Sequence, residues 1–549
     1  MQMNQESWQS VTPQYTEFDD VISEFECLPK VSFLDIQPRL KQALSTLANT
    51  QGYNRVLIVN SPDNAFYRSC ISKGLTHLTG KAAITTESIN INDLLGTYAC
   101  NESGQITAQT QGLVEKAHGG FLIVSANMLL ANPSSWPIFK SIFLGQAYSP
   151  VSVTPKNLAN EVPINSYSVR LVVVGHRDQI ADLDYLDGDL YSGFANFTEV
   201  EHDIAIDQDS IDCYLGYLLS LLKDFDLPIL SPEAIHRLMV AGARYSEDQR
   251  YMPIEPLWYL SIFHEASLYL SGTQFDEQAI DKALEAKHNR ESYLPERALS
   301  DILDGQVIIE TQGECVGQVN GLTVIDVSGH PLSYGEPARI SCVIHFGDGD
   351  ISDVERKAEL GGNLHAKGMM IMQAFVASAL KLEEPLPYSA SVVFEQSYCE
   401  VDGDSATLAE LCSFVSALSE YPINQQIAVT GAVDQFGRVQ AVGGLNEKIE
   451  GFYRVCKHQG FTGQQGVIIP KTNLKHLALN KEVVASIKSD EFHIWSVETV
   501  DETIPIIMGK PFRGDDETSV IHKIAQRIEN YEKHEHPQGI VERIKNWFL

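Results

Sequence analysis

Two short segments carry residues that could act together as a nucleophile and its base. In VDGDSATLAELCSFVSALSEY, Ser405 follows Asp402, Gly403 and Asp404, a tight-turn sequence because Gly accepts positive φ and Asp turns or caps the chain readily. Leu408, Leu411, Cys412, Val415 and Leu418 then recur at helical spacing and predict one buried helix face. Ser405 therefore stands where a turn enters a helix, and backbone N–H groups there lack helical partners and can hold a developing oxyanion. The same position also suits a plain helix N-cap, a role that serine favours. A serine hydroxyl attacks only when something removes its proton, and no G-x-S-x-G elbow surrounds this one. The segment AVGGLNEKIEGFYRVCKHQG offers a different base. Leu445, Ile449, Phe452, Tyr453 and Cys456 form an apolar stripe, Gly460 suits the helix end, and Lys448 lies beside the stripe. Desolvation lowers the pKa of an ammonium towards the range of a general base. A lysine in such a place also commonly snorkels to solvent.

The elements that would position these residues follow from apolar patterning. Continuous runs at Val56–Val59, Phe121–Val124 and Leu171–Val174, separated by helix-length stretches, predict strands buried on both faces of a mostly parallel sheet. From about Ser210 to Lys287 the pattern is helical, with Tyr214, Tyr217, Leu218 and Leu221 on one face. A new composition begins near Gly313. There GQVNGLTVIDVSGH, ARISCVIHF and SASVVFEQSYCEV predict strands, and Gly362–Leu380 and Thr407–Tyr421 predict helices. The fold class is thus multidomain α/β. It comprises an N-terminal region at 1–50 with one helix around Gln37–Leu47, an α/β domain at 51–200, a helical domain at 201–295 and a second domain mixing strands and helices at 300–510. In the charged tail at 511–549, Val520–Tyr531 is expected to form an amphipathic helix, read as a solvated terminal helix with an interaction surface as the alternative.

Composition narrows the functions. A chain of 549 residues is too long for a single core. A formal charge of −32 argues against general nucleic-acid binding, which needs clustered Lys and Arg. The nine cysteines contain no C-x-x-C and no His at metal-ligand spacing, so reduced thiols and no metal are expected. The N-terminal stretch is polar and acidic, unlike a secretory signal, and no run approaches the roughly 18 apolar residues that span a bilayer. A cytoplasmic protein without a membrane partner is expected.

Together these segments resemble the proteolytic domain of Lon proteases, particularly the B-type. The likeness runs from about Gly313 to Leu477 through GQVNGLTV, DVERKAELGGNLHAKG, FEQSYCEVDGDSATLAEL, IAVTGAVDQFGRVQAVGGLNEKIEGF and QGVIIP. The resemblance implies that Ser405 is the nucleophile and Lys448 its partner, a recognised variant of the nucleophile–base arrangement. It also implies that Thr430 hydrogen-bonds and orients the lysine, although a β-branched strand residue without special function fits that position too.

Lon proteases couple this domain to an ATPase of the AAA+ class, and residues 51–290 have its position and alternation. The chemistry is missing. No G-x-x-x-x-G-K-[ST] loop is present, and after Val56–Val59 the family register puts Ala65 at a loop glycine, Phe66 at the lysine and Tyr67 at the Ser/Thr. Ser125 and Ala126 stand at the acidic pair that would hold Mg²⁺, and His176 at the sensor asparagine. Between Tyr251 and Asp281 there is no Lys or Arg, so the helical-domain sensor arginine is absent as well. The resemblance therefore implies a degenerate AAA+ sheet domain with a helical lid, followed by an α+β Lon proteolytic domain. The implied activity is a serine endopeptidase with a Ser405–Lys448 dyad, cutting unfolded or short polypeptides without ATP hydrolysis or a cofactor. Its expected assembly is a homo-oligomer, by resemblance a hexameric ring. The competing readings are a non-proteolytic adaptor or holding scaffold, and a protease gated by ATP or a partner.

Overall fold

A computed structural model describes residues 4–87, 89–154, 159–162, 164–381, 386–397, 400–514 and 517–535, with side chains up to residue 530. The chain divides into two compact units. One comprises Asp20–Ile229 with Ile254–Leu260, and the other Met1–Asp19, Leu230–Pro253 and Ser261–Leu549.

The first unit is built on strands β1 (Val56–Asn60), β2 (Ala83–Thr85), β3 (Phe121–Ser125), β4 (Arg170–Gly175) and β5 (Ala195–Glu199). They form a parallel sheet in the order β2-β3-β4-β1-β5. The apolar runs are continuous because both faces are covered. Leu57, Val59, Phe121, Ile123, Val172 and Val174 face Leu40 and Leu44 of helix α1 (Pro38–Asn49) and Tyr67 and Ile71 of α2 (Ala65–Thr79). Val56, Ile58, Leu122, Val124, Leu171 and Val173 face Trp136, Phe139, Phe143 and Leu183. Helix α3 (Ile211–Asp224) belongs to this unit. Helices α4 (Pro232–Tyr245) and α5 (Glu277–Glu291), from the same helical stretch of sequence, belong to the other.

The second unit holds strands β6 (Gln318–Ile325), β7 (Tyr334–Phe346), β8 (Ile351–Asp353), β9 (Tyr388–Phe394), β10 (Ile427–Val429), β11 (Gln465–Pro470) and β12 (Phe492–Val497). The sheet order is β8-β9-β7-β6-β10-β11-β12, antiparallel at β9-β7-β6 and parallel elsewhere. Helices α6 (Asn363–Leu380), α7 (Thr407–Ser419) and α8 (Leu445–Gln459) pack with it. At β12 the backbone of Asn4–Glu6 pairs with Ile494 and Ser496, so this sheet edge is covered.

Helix α7 departs from the expected one-sided pattern: every residue from Thr407 to Ser419 is buried. Its serines are accommodated because Ser413 and Ser419 return their hydroxyls to the carbonyls of Glu410 and Val415, both at 2.7 Å. One covering element is α9 (Val520–Glu535). Its Val520, Ile524 and Ile528 enter the same core, and Arg527 donates to the Ala417 carbonyl at 3.0 Å. The expectation of a solvated tail helix is corrected here: an i, i+4, i+8 apolar stripe buries one face of it.

Helix α8 approaches β7 through two glycines. A Cβ on Gly451 would lie 2.1 Å from the Gly335 carbonyl oxygen, and one on Gly335 equally close to that of Glu447. Gly451→Ala is therefore expected to overpack this contact and destabilise the unit by about 1–3 kcal/mol. The check is the denaturant midpoint of the transition reported by Trp495; an unchanged midpoint would show that α8 has room to move.

Candidate active site

Ser405 sits half-buried in the turn that leads into α7. The helix cap falls on Ala406 and uses no side-chain hydrogen bond, so the Ser405 hydroxyl is not spent as an N-cap. It accepts instead from Lys448 Nζ at 3.0 Å. The Ser405 carbonyl is fixed by the Gly431 N–H at 2.8 Å and by the Thr430 hydroxyl at 3.3 Å. Thr430, fully buried just beyond β10, thus holds the serine backbone; among the described residues the expected bond to Lys448 is not formed. The N–H groups of Ser405 and Ala406 find no acceptor among the described residues, which leaves donors beside the hydroxyl.

Lys448 enters from the first turn of α8, behind Gly444, which takes the left-handed conformation (φ 64°). Its side chain is 1% exposed and has no ion-pair partner among the described residues. Burial pulls its pKa down to about 8, against the opposing field of Asp404. The two carboxylates nearest it in sequence are committed elsewhere. Arg244 of α4 donates to Glu447 at 3.1 Å and to the second carboxylate oxygen of Glu450 at 3.0 Å. Burial alone would raise the Glu450 pKa, but Arg244 holds it below the ordinary carboxylate value. Sequence reasoning missed Arg244, which lies far from Lys448 along the chain and belongs to no motif. The resulting arrangement is a hydroxyl within reach of an amine poised to be neutral near physiological pH.

In the first unit, the residues at the expected nucleotide positions also meet. Asn64 caps α2 by accepting from the Tyr67 N–H at 3.1 Å. The buried Asp63 carboxylate pairs with Arg68 and accepts from the Ser125 hydroxyl at 2.5 Å, while Arg68 reaches Glu87 at 2.7 Å. His176 Nε2 accepts from the Asp63 N–H at 3.4 Å. Phe66 stacks on Phe225 with ring centroids 6.2 Å apart, and Ala126 is buried. The helix N-terminus that would face a phosphate therefore has an internal carboxylate beside it.

Comparison with known proteins places both units. Residues 393–510 match the Lon protease C-terminal proteolytic domain, and residues 79–201 match a LonB-like AAA domain. A Lon protease homolog of Escherichia coli is 36% identical over 99% of this chain and 99% of its own length. The chain belongs to the Lon protease family. A Lon protease homolog of Haemophilus influenzae is 41% identical over 76% of the chain and 69% of its own length. An archaeal Lon protease of Methanocaldococcus jannaschii is 38% identical over 22% of the chain and 16% of its own length. The Lon proteolytic match contains Ser405, Thr430 and Lys448; the AAA match contains Ser125, Ala126 and His176 and begins after the Ala65–Tyr67 segment. The eight described cysteines of this Lon-family chain are unbridged, and Cys399 lies outside the described residues. No helix among the described residues is long and apolar enough to cross a membrane.

The depressed lysine has a signature in stability. Its folded pKa of about 8 lies below the ordinary 10.5. The unfolded chain therefore binds more protons between those values, and stability rises with pH across that window. Lys448→Met is expected to stabilise the folded protein at pH 7 by up to roughly 3 kcal/mol, seen as a higher thermal midpoint, with the gain shrinking towards pH 10. Thermal unfolding of both proteins across that range is the check; a destabilised mutant at pH 7 would contradict an unpaired buried ammonium.

Proposed function

We propose that this Lon-family protein is a serine endopeptidase in which Ser405 and Lys448 form the catalytic dyad. The observation that carries the reading is the 3.0 Å contact between Lys448 Nζ and Ser405 Oγ, made by an amine that burial holds near pKa 8. Neutral Lys448 takes the hydroxyl proton as Ser405 Oγ attacks the scissile carbonyl. The N–H groups of Ser405 and Ala406 receive the developing oxyanion. The lysine then hands its proton to the leaving amine, and an acyl-enzyme remains on Ser405. Water attacks the ester with Lys448 again as base, and the proton returns to Oγ as the acid departs. Thr430 keeps the serine backbone in place throughout.

The same proposal holds that peptide cleavage proceeds without ATP hydrolysis. Asp63 pairs with Arg68 and accepts from Ser125 where phosphates and Mg²⁺ would need free donors and free carboxylates. Asp63 in particular adds a negative charge beside the α2 N-terminus. Substrates on this reading are unfolded or short polypeptides that reach Ser405 by diffusion, and the protein works as a homo-oligomer in the cytoplasm, by family resemblance a hexameric ring.

The test is cleavage of a fluorescently labelled unfolded protein with and without ATP–Mg²⁺, alongside Ser405→Ala. Equal cleavage in both conditions and none in the mutant is expected. Stimulation by ATP would overturn the motor-less reading, and failure to cleave under every condition would favour a holding role.

A further inference from the structure

Beneath the Ser405 turn lies a buried charge cluster to which neither the dyad nor the family match assigns a task. His365, on the first turn of α6, is 2% exposed. Its Nε2 faces Asp353 at the end of β8, 3.2 Å from one carboxylate oxygen, and its Nδ1 faces Glu410 of α7 at 3.5 Å. An imidazole facing a carboxylate on each side satisfies both only as the imidazolium, because the neutral ring has one N–H. Glu410 is 1% exposed, and among the described residues neither of its oxygens accepts a hydrogen bond. Glu355 completes the cluster by accepting from the Phe394 N–H at 2.6 Å, and the Phe394 ring meets His365 edge-on. The cluster is not a metal site, since Asp353 and Glu410 lie on opposite sides of the ring and no ligating group of three is present among the described residues.

The cluster joins three elements at one point, and one of them presents Ser405. Glu410 lies one helical turn after Ala406, to whose carbonyl its N–H donates at 2.9 Å. Helix α6 rests directly on the Ser405 turn: a Cβ on Gly368 would lie 2.5 Å from Thr407 Oγ1, and one on Gly362 would lie 2.2 Å from an Asp402 carboxylate oxygen. A backbone bridge between Gly361 and Val401 continues this contact. Any change in the α6–α7 spacing is therefore transmitted to Ser405.

We propose that His365 is a positioning residue for the Ser405–Lys448 pair: by bridging Asp353 and Glu410 it pins the first turns of α7 against α6 and sets where Ser405 Oγ stands relative to Lys448 Nζ. This rests on the dyad reading above. The charged groups facing Glu410 are His365 from α6 and Asp353 and Glu355 from the β8 end. On α9, which also packs on α7, Arg527 reaches the far end of the helix at Ala417, Leu418 and Glu420. Burial raises the Glu410 pKa to about 7, and the two carboxylates beside His365 raise that of the imidazole against the effect of burial. Glu410 ionises as pH rises through about 7, just below the range in which Lys448 becomes neutral, and the imidazole beside it is shifted in the direction that favours its charged form.

The test compares wild type, Glu410→Gln, His365→Gln and Ser405→Ala on a short fluorogenic peptide across roughly pH 6–9. Both cluster variants are expected to lose kcat on the order of 10–100-fold, with KM within about twofold. The rise of kcat with pH should become shallower in Glu410→Gln, because one of its two ionisations is gone. Glu410→Gln keeps the shape and removes a buried charge, so it should fold even if His365→Gln does not, and its thermal midpoint checks this. Wild-type kcat and an unchanged pH profile in Glu410→Gln, with Ser405→Ala inactive, would overturn the positioning role and leave the dyad standing. Equal loss in kcat and thermal stability without a change in pH profile would also overturn it. Cleavage by Ser405→Ala would overturn the dyad itself.

Discussion

Lys448 carries its ammonium where water scarcely reaches and no carboxylate among the described residues pairs with it. The surrounding structure is organised around tolerating that cost. Its acidic neighbours in sequence are paired elsewhere: Arg244 takes Glu447 and Glu450, while Asp404 acts on the lysine only through its field. A removed charge partner usually weakens a protein. Here it leaves an amine that can give up its proton near neutral pH, and the serine hydroxyl is the polar group that the amine meets.

Precision at that contact comes from close backbone packing more than from side chains. Gly335 and Gly451 allow α8 to lie against β7 with no Cβ between them, and Gly362 and Gly368 allow α6 to rest on the serine turn. The two halves of the pair are thus each set by a helix whose distance from its support is fixed by missing side chains. Arg244 adds a second restraint on α8 from a helix that precedes it by some two hundred residues in sequence, and both belong to one compact unit.

The local pattern carried much of this. The buried runs of β1, β3 and β4 and the helices α1, α6 and α7 were legible because each repeats a period over a contiguous stretch. Ser405 and Lys448 were legible because their motifs are contiguous too, with a family resemblance to join them. What was not legible depends on contacts across the chain. The missing phosphate loop could be read, but not that Asp63, Arg68 and Ser125 fill the space together. The all-round burial of α7 was hidden by Ser413, Ser416 and Ser419, which read as a polar face although their hydroxyls return to nearby carbonyls. Glu410 and His365 lie inside quoted motifs, yet nothing in one-dimensional spacing shows that they face each other.

The covering of α7 by α9 also has a bearing on time. During synthesis the helix that follows Ser405 emerges well before Val520, Ile524 and Ile528, the residues that close over it. Until they have been made, a helix that is buried on every side in the finished fold lacks one of its covers, and domains generally fold as units. The order of translation therefore leaves the closing of the core around the helix after Ser405 to the last stretch of chain to be made.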